Sequence, residues 1–176
     1  MRIRNIGALS FALISALMMT WASSTQAVVL DTSAELTTGA QVTQVDPLSF
    51  GKFTSGPAGG SISISPRSGS QTITTGDISI LGNLEQRGVV NVVAPKGAGV
   101  VVTVEDTTLT DPISGQSMKV SNVSCVEKGN PTIGSCDFKM KPAGNADVGV
   151  GGVLTVIPNQ QPGLYQGFII VTANFQ

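Results

Sequence analysis

Apolar and polar side chains alternate along this chain in short runs, the period of a strand whose successive residues face opposite sides. The clearest run lies near the C-terminal end. Tyr165, Gly167, Ile169, Val171, Ala173 and Phe175 share one face, and each is apolar or glycine. Gln166, Phe168, Ile170, Thr172 and Asn174 share the other, which is mixed. Pro162-Gly163 supplies a turn before the run, and only Gln176 follows it. The spacing predicts a terminal strand over residues 165–175 with one buried face, a wall against which another strand can pack.

A second amphipathic run occupies residues 28–36, where Val28, Leu30, Ala34 and Leu36 share a face with Thr32. Asp31, Ser33 and Glu35 take the opposite face. After Thr37-Thr38-Gly39 the segment 41–53 reads as extended, 54–60 as a loop, and 61–65 as a strictly alternating strand stopped by Pro66. Further strands are expected at 70–74, 77–81, 88–93, 100–105, 118–125, 136–141 and 148–157. No window carries a helical period, and no internal repeat is visible. Many short strands at regular turn spacing indicate an all-β chain with one β-sandwich domain.

The beginning of the chain bears on its compartment. Arg2 and Arg4 precede an apolar stretch from Ile6 to Met19, and Thr25-Gln26-Ala27 offers small residues for a signal peptidase. Residues 1–27 are therefore read as a cleaved signal peptide, with Ala22-Ser23-Ser24 as a second cut site. The apolar stretch is short for a membrane span, and no later segment approaches one. The expected organisation is a leader over 1–27, an arm or first strand over 28–38, and a sandwich over 39–176. The expected destination is the periplasm, the cell surface or the extracellular space.

Charge and chemistry narrow the function classes. Removing Arg2 and Arg4 from ten Lys/Arg leaves eight against eleven Asp/Glu, a net charge of −3 without the leader. The charges are scattered and form no basic stripe, which argues against nucleic acid as a partner. Cys125 and Cys136 are the two cysteines of the sequence. In an oxidising compartment they are expected to form a structural disulfide. A redox or metal pair would call for CxxC spacing or a completing histidine, and the sequence has no His.

The lack of His also removes the usual base of a Ser or Cys hydrolase. Ser49-Phe50-Gly51-Lys52 matches Ser-x-x-Lys, but that motif needs a helical turn, and Pro47 and Gly51 predict extended chain. Gly97-Ala98-Gly99 and Gly149-Val150-Gly151-Gly152 complete no phosphate-loop motif and read as turns or close strand approaches. Glu105, Asp106 and Asp111 suggest half a calcium site or one carboxylate of a glycosidase pair. A solvated strand end accounts for them more simply. The chain is read as a non-enzyme that carries no cofactor or metal. Glycan platforms present exposed aromatics, and with Trp21 in the leader one Tyr and no Trp remain, which counts against sugar binding.

Three segments in order carry a resemblance: Asp46-Pro47-Leu48-Ser49-Phe50-Gly51-Lys52-Phe53, then Gly59-Gly60-Ser61-Ile62-Ser63-Ile64-Ser65-Pro66, then residues 162–175. Together they resemble a family of small bacterial secreted domains of unknown function. That family in turn is similar to spore-coat-U proteins and chaperone–usher pilins. The resemblance implies an immunoglobulin-like sandwich that lacks a strand and is completed by one from a neighbouring subunit. It implies self-assembly, or a periplasmic chaperone or usher as partner. Phe175 and Gly163 stand where many pilins have a penultimate aromatic and a glycine fourteen residues from the end. The cysteines depart from the pilin pattern, since they lie late and close together rather than joining two early strands.

Two functional expectations follow. In one, the protein is an exported, fimbrial or coat-like structural subunit whose arm, through Val28, Leu30, Ala34 and Leu36, is donated to a groove walled by the terminal strand. In the other, the arm is the first strand of a self-complete binding module for a glycan or an envelope protein.

Overall fold

The computed structural model describes residues 27–29 and 41–175. The expected leader, apart from Ala27, and the arm positions Leu30, Ala34 and Leu36 lie outside the described residues. Among the described residues every regular element is a strand, and no helix is long and apolar enough to cross a membrane. In chain order the strands are β1 (Ala27–Val29), β2 (Gln41–Asp46), β3 (Ser49–Phe50), β4 (Phe53–Ile64) and β5 (Gln71–Ile80). Then come β6 (Glu85–Gln86), β7 (Gly88–Val93), β8 (Gly99–Val104), β9 (Thr107–Thr110) and β10 (Ser117–Val126). The last are β11 (Thr132–Ile133), β12 (Ser135–Lys139), β13 (Asn145–Val156) and β14 (Ile170–Phe175).

All pairings are antiparallel. One sheet has the order β1-β14-β8-β12. The other runs β11-β10-β13-β4-β5, with β7 also on β13, β2 on β7 and β9 on β10. The strand β13 carries this second sheet. Its first half pairs with β7, its second half with β4, and β10 lines its other edge. The short pair β3–β6 stands apart.

Alternation decides what fills the space between the sheets. Ile62 and Ile64 of β4 point inward while Ser61 and Ser63 stay half-exposed. Val100, Val102 and Val104 of β8, Val120 of β10, and Val148, Val150 and Leu154 of β13 are almost wholly buried. The fold is thus the all-β sandwich that the hydrophobic pattern predicts.

Cys125 of β10 and Cys136 of β12 are disulfide-bonded, with Cα atoms 5.8 Å apart. Their strands belong to different sheets, so a pair close in sequence ties the two layers together.

Several local expectations are corrected. Residues 54–60 are strand, because β4 continues through them opposite β5 with its register shifted between Ser55 and Gly60. At that bulge a Cβ on Gly76 would lie 2.1 Å from the Gly59 carbonyl oxygen, an approach open only to glycine. The two runs 70–74 and 77–81 are one strand, β5, crossing this point. Segment 41–53 breaks at Pro47-Leu48 into β2 and β3. The strand β9 was not expected. The terminal strand begins at Ile170 instead of Tyr165.

Candidate strand-acceptor groove

The strand β14 is amphipathic as the alternation requires. Val171 has no exposed surface, while Ala173 and Phe175 are half-buried against the core. Ile169, just before the strand, is also buried. One edge of β14 pairs with β8, setting Val171 opposite Val104, Ala173 opposite Val102 and Phe175 opposite Val100. The other edge pairs with β1 of the same chain, Ala27 opposite Thr172, Val28 opposite Val171 and Val29 opposite Ile170. Of the candidate donor positions, Val28 is thereby placed by its backbone, and Leu30, Ala34 and Leu36 remain outside the described residues.

Upstream of β14 the chain leaves the ladder although its alternation persists. Gln166 exchanges backbone hydrogen bonds with Thr110, the Gln166 N–H donating at 3.1 Å and the Thr110 N–H at 2.8 Å. The Thr107 hydroxyl donates to the Phe168 carbonyl at 2.6 Å. A Cβ on Gly167 would stand 2.6 Å from the Thr108 carbonyl oxygen. Residues 165–168 therefore lie beside β9, in the second sheet, before the chain crosses to β8. Tyr165 is half-buried and outside the strand, which corrects its expected place on the terminal wall. Its hydroxyl donates to the Gln161 carbonyl at 2.7 Å and accepts from Gln160 Nε2 at 2.8 Å.

The loop that leads here is anchored by Asp111, buried to 2% exposure. Its Oδ2 accepts from the Ser114 hydroxyl at 2.6 Å and the Ser114 N–H at 2.9 Å. Those bonds, the hydroxyl's foremost, hold its pKa below the usual carboxylate value, and the Ile113 and Leu164 N–H groups act in the same direction against desolvation. A Cβ on Gly163 would lie 2.8 Å from the Asp111 carboxyl carbon, which gives that glycine a steric reason.

Between residues 167–169 and the β2–β3 corner lies a cleft of about 70 Å³. Leu48, Phe50, Leu109, Val120 and Ile169 make it mainly apolar, and Gln44 stands at its margin. Thr107 and Leu109 of β9 line it beside Gly167 and Ile169.

Ser49, Asp106 and Asp111 have structural partners. The Ser49 hydroxyl donates to the Leu84 carbonyl and accepts from the Gly51 N–H, on a strand rather than a helical turn. Asp106 accepts from the Val123 N–H at 3.1 Å, and Asp111 serves the loop just described. Gly149 and Gly151 lie within β13, where an added Cβ would strike the carbonyl oxygens of Pro66 and Ile64. Among the described residues no group of three or more His, Cys, Asp or Glu is placed to hold a metal.

Sequence reading did not find the role of Asp111 or the strand β9. The run Thr107-Thr108-Leu109-Thr110 before Asp111-Pro112 was the available signal for both.

A family model matches residues 40–175, and its description is Domain of unknown function (DUF4402). No curated protein matches the chain, and no solved structure does.

Proposed function

The chain belongs to that DUF4402 family, whose description assigns no activity, and on this premise we propose that it is a non-enzymatic structural subunit of the cell surface. It is exported behind a cleaved leader and assembles, pilin-like or coat-like, by donating its N-terminal arm to the terminal strand of a neighbour. One observation carries the reading: the edge of β14 away from β8 is closed by a strand from the N-terminal part of the chain, described over Ala27–Val29. An edge closed by an N-terminal strand can instead take the equivalent strand of a neighbouring copy, whose backbone groups it satisfies equally well.

The phase of the arm supports this. Val28 pairs with Val171 along the backbone, so a ladder continued in that register would set Leu30 opposite the buried Ile169. Ile169 lines the apolar cleft that an added side chain would fill. The resemblance to spore-coat-U proteins and pilins points the same way, and assembly would then proceed by self-addition or through a periplasmic chaperone or usher.

A second reading draws on the same pairing. As β1 closes the sheet of its own chain, the sandwich would be self-complete and the protein a monomeric binding module.

The test compares protein beginning at Val28 with a version lacking residues 28–37, by native sizing and unheated SDS gels. Strand donation predicts a heat-labile ladder from the full protein and a folded monomer from the truncation. Two monomers, with the truncation unfolded or much less stable, would establish the self-complete reading.

A further inference from the structure

A more open concavity lies between the turn at residues 66–70, the end of β2 and the β6–β7 segment. Its volume is about 450 Å³, within the range of small-molecule sites. Three charged side chains line it: Asp46, Glu85 and Arg87. Ser68, Ser70 and Gln86 supply neutral polar groups, and Val89 is the one aliphatic side chain.

Each charge is placed by local structure. The β2–β7 ladder shifts register between Gln44 and Asp46, leaving Val45 unpaired and exposed and bringing Asp46 opposite Val89. A bulge of this kind re-aims the side chain that follows it. Arg87 donates through Nη1 to the Pro66 carbonyl at 3.1 Å and also to the Arg67 carbonyl. Two carbonyls fix the guanidinium without neutralising it. Neither carboxylate comes within 4.0 Å of it, and the ion pair found among the described residues is Lys141 with Glu127. Oε2 of Glu85 is out of solvent and has no hydrogen-bond partner among the described residues. The serines are ordered as well, Ser68 donating to the Ser70 hydroxyl at 2.9 Å.

Opposite charges that share a cavity without meeting suit a particular chemistry. A simple cation would face Arg87, an oxyanion would face two carboxylates, and a hydrocarbon would find one valine. A vicinal diol satisfies both signs, donating its O–H groups to a carboxylate and accepting from a guanidinium. We propose that this cavity binds one sugar residue of a polysaccharide, with Asp46 and Glu85 accepting from hydroxyls and Arg87 donating to a sugar oxygen. No aromatic ring lines it, so hydrogen bonds alone hold the ligand and a single site is weak, roughly millimolar. Sugar binding here needs no stacking platform, which answers the argument from scarce aromatics. On an assembled array, repeated weak sites would gain about 10²–10⁴-fold in avidity.

The test is an NMR titration of the amides of the protein beginning at Val28 with glucose, galactose, mannose and N-acetylglucosamine, each to about 50 mM. At least one sugar should give saturable shifts at Gly69, Ser70, Gln86 and Arg87. Asp46→Ala and Glu85→Gln should each weaken that binding about tenfold without moving the unfolding midpoint. Ser70→Ala, which leaves the charges in place, should weaken it less. The proposal fails if no sugar shifts these amides, if calcium chloride alone reproduces the shifts, or if both charge variants bind as the parent does. Chain assembly would broaden amides throughout the protein, whereas sugar binding shifts those of residues 69–70 and 86–87.

Discussion

Asp111 keeps its charge out of water because one neighbour answers it twice, Ser114 giving both its hydroxyl and its N–H to Oδ2. Its pKa is lowered in the fold, so the stabilisation is complete above the ordinary carboxylate range. It is lost as pH falls through the lowered value. Asp111→Asn should lower the unfolding temperature at neutral pH, and the gap to the parent should close below about pH 4. Thermal unfolding followed from pH 7 to pH 2 checks this, and a gap independent of pH would remove the carboxylate from the account. The residue's role was hidden in the sequence, where Asp111 looked like a third acid near Glu105 and Asp106. Its two partners, Ser114 and the Gly163 turn, come from different loops, and the second lies fifty residues away. The glycines of β13 were more legible, since close strand approach was the expected reading of Gly149–Gly152 and the carbonyls of Ile64 and Pro66 occupy the space of the missing side chains.

Among the elements, the faces of strands were legible and their hydrogen-bond partners were not. Ile62 on β4 is fully buried, while Ile73 on the edge strand β5 is 39% exposed. Ile62→Ala should cost about 2–5 kcal/mol in urea unfolding, and Ile73→Ala well under half as much. Equal losses would mean that Ile73, the direct partner of Ile62 on the same face, is as deep in the core as Ile62. Alternation marks which face a residue takes because burial repeats every second residue, as Ile62 and Ile64 show against Ser61 and Ser63. It says nothing about which edge a strand meets. Residues 165–169 show this: their pattern continues that of β14, yet Gln166 pairs with Thr110 in the other sheet. The expected loop at 54–60 failed for a related reason. Gly-Pro-Ala-Gly-Gly looks like a turn, and only its partner β5 reveals a strand carried through a bulge. The polar cavity combines residues 46, 68–70 and 85–89, a combination no local window contains.

At the scale of the molecule, the disulfide is the covalent side-chain link between the two layers. The pair closes a loop spanning eleven residues in sequence, and Cys125→Ala with Cys136→Ala should cost about 2–3 kcal/mol in denaturant unfolding. No change on removing both would assign the joining of the layers to packing alone. The tie sits at the side of the sandwich where β10 faces β12. Beside the apolar cleft, the segment entering β14 is held to β9 by hydrogen bonds, Gln166 with Thr110 and the Thr107 hydroxyl with the Phe168 carbonyl. A two-leaved body fastened along one margin opens along the other. Thermal breathing of this protein is therefore lopsided: the leaves part first at the cleft beside Ile169, where hydrogen bonds rather than a disulfide bridge them, so that margin admits water, or a visiting strand, while the core near Cys125 stays shut.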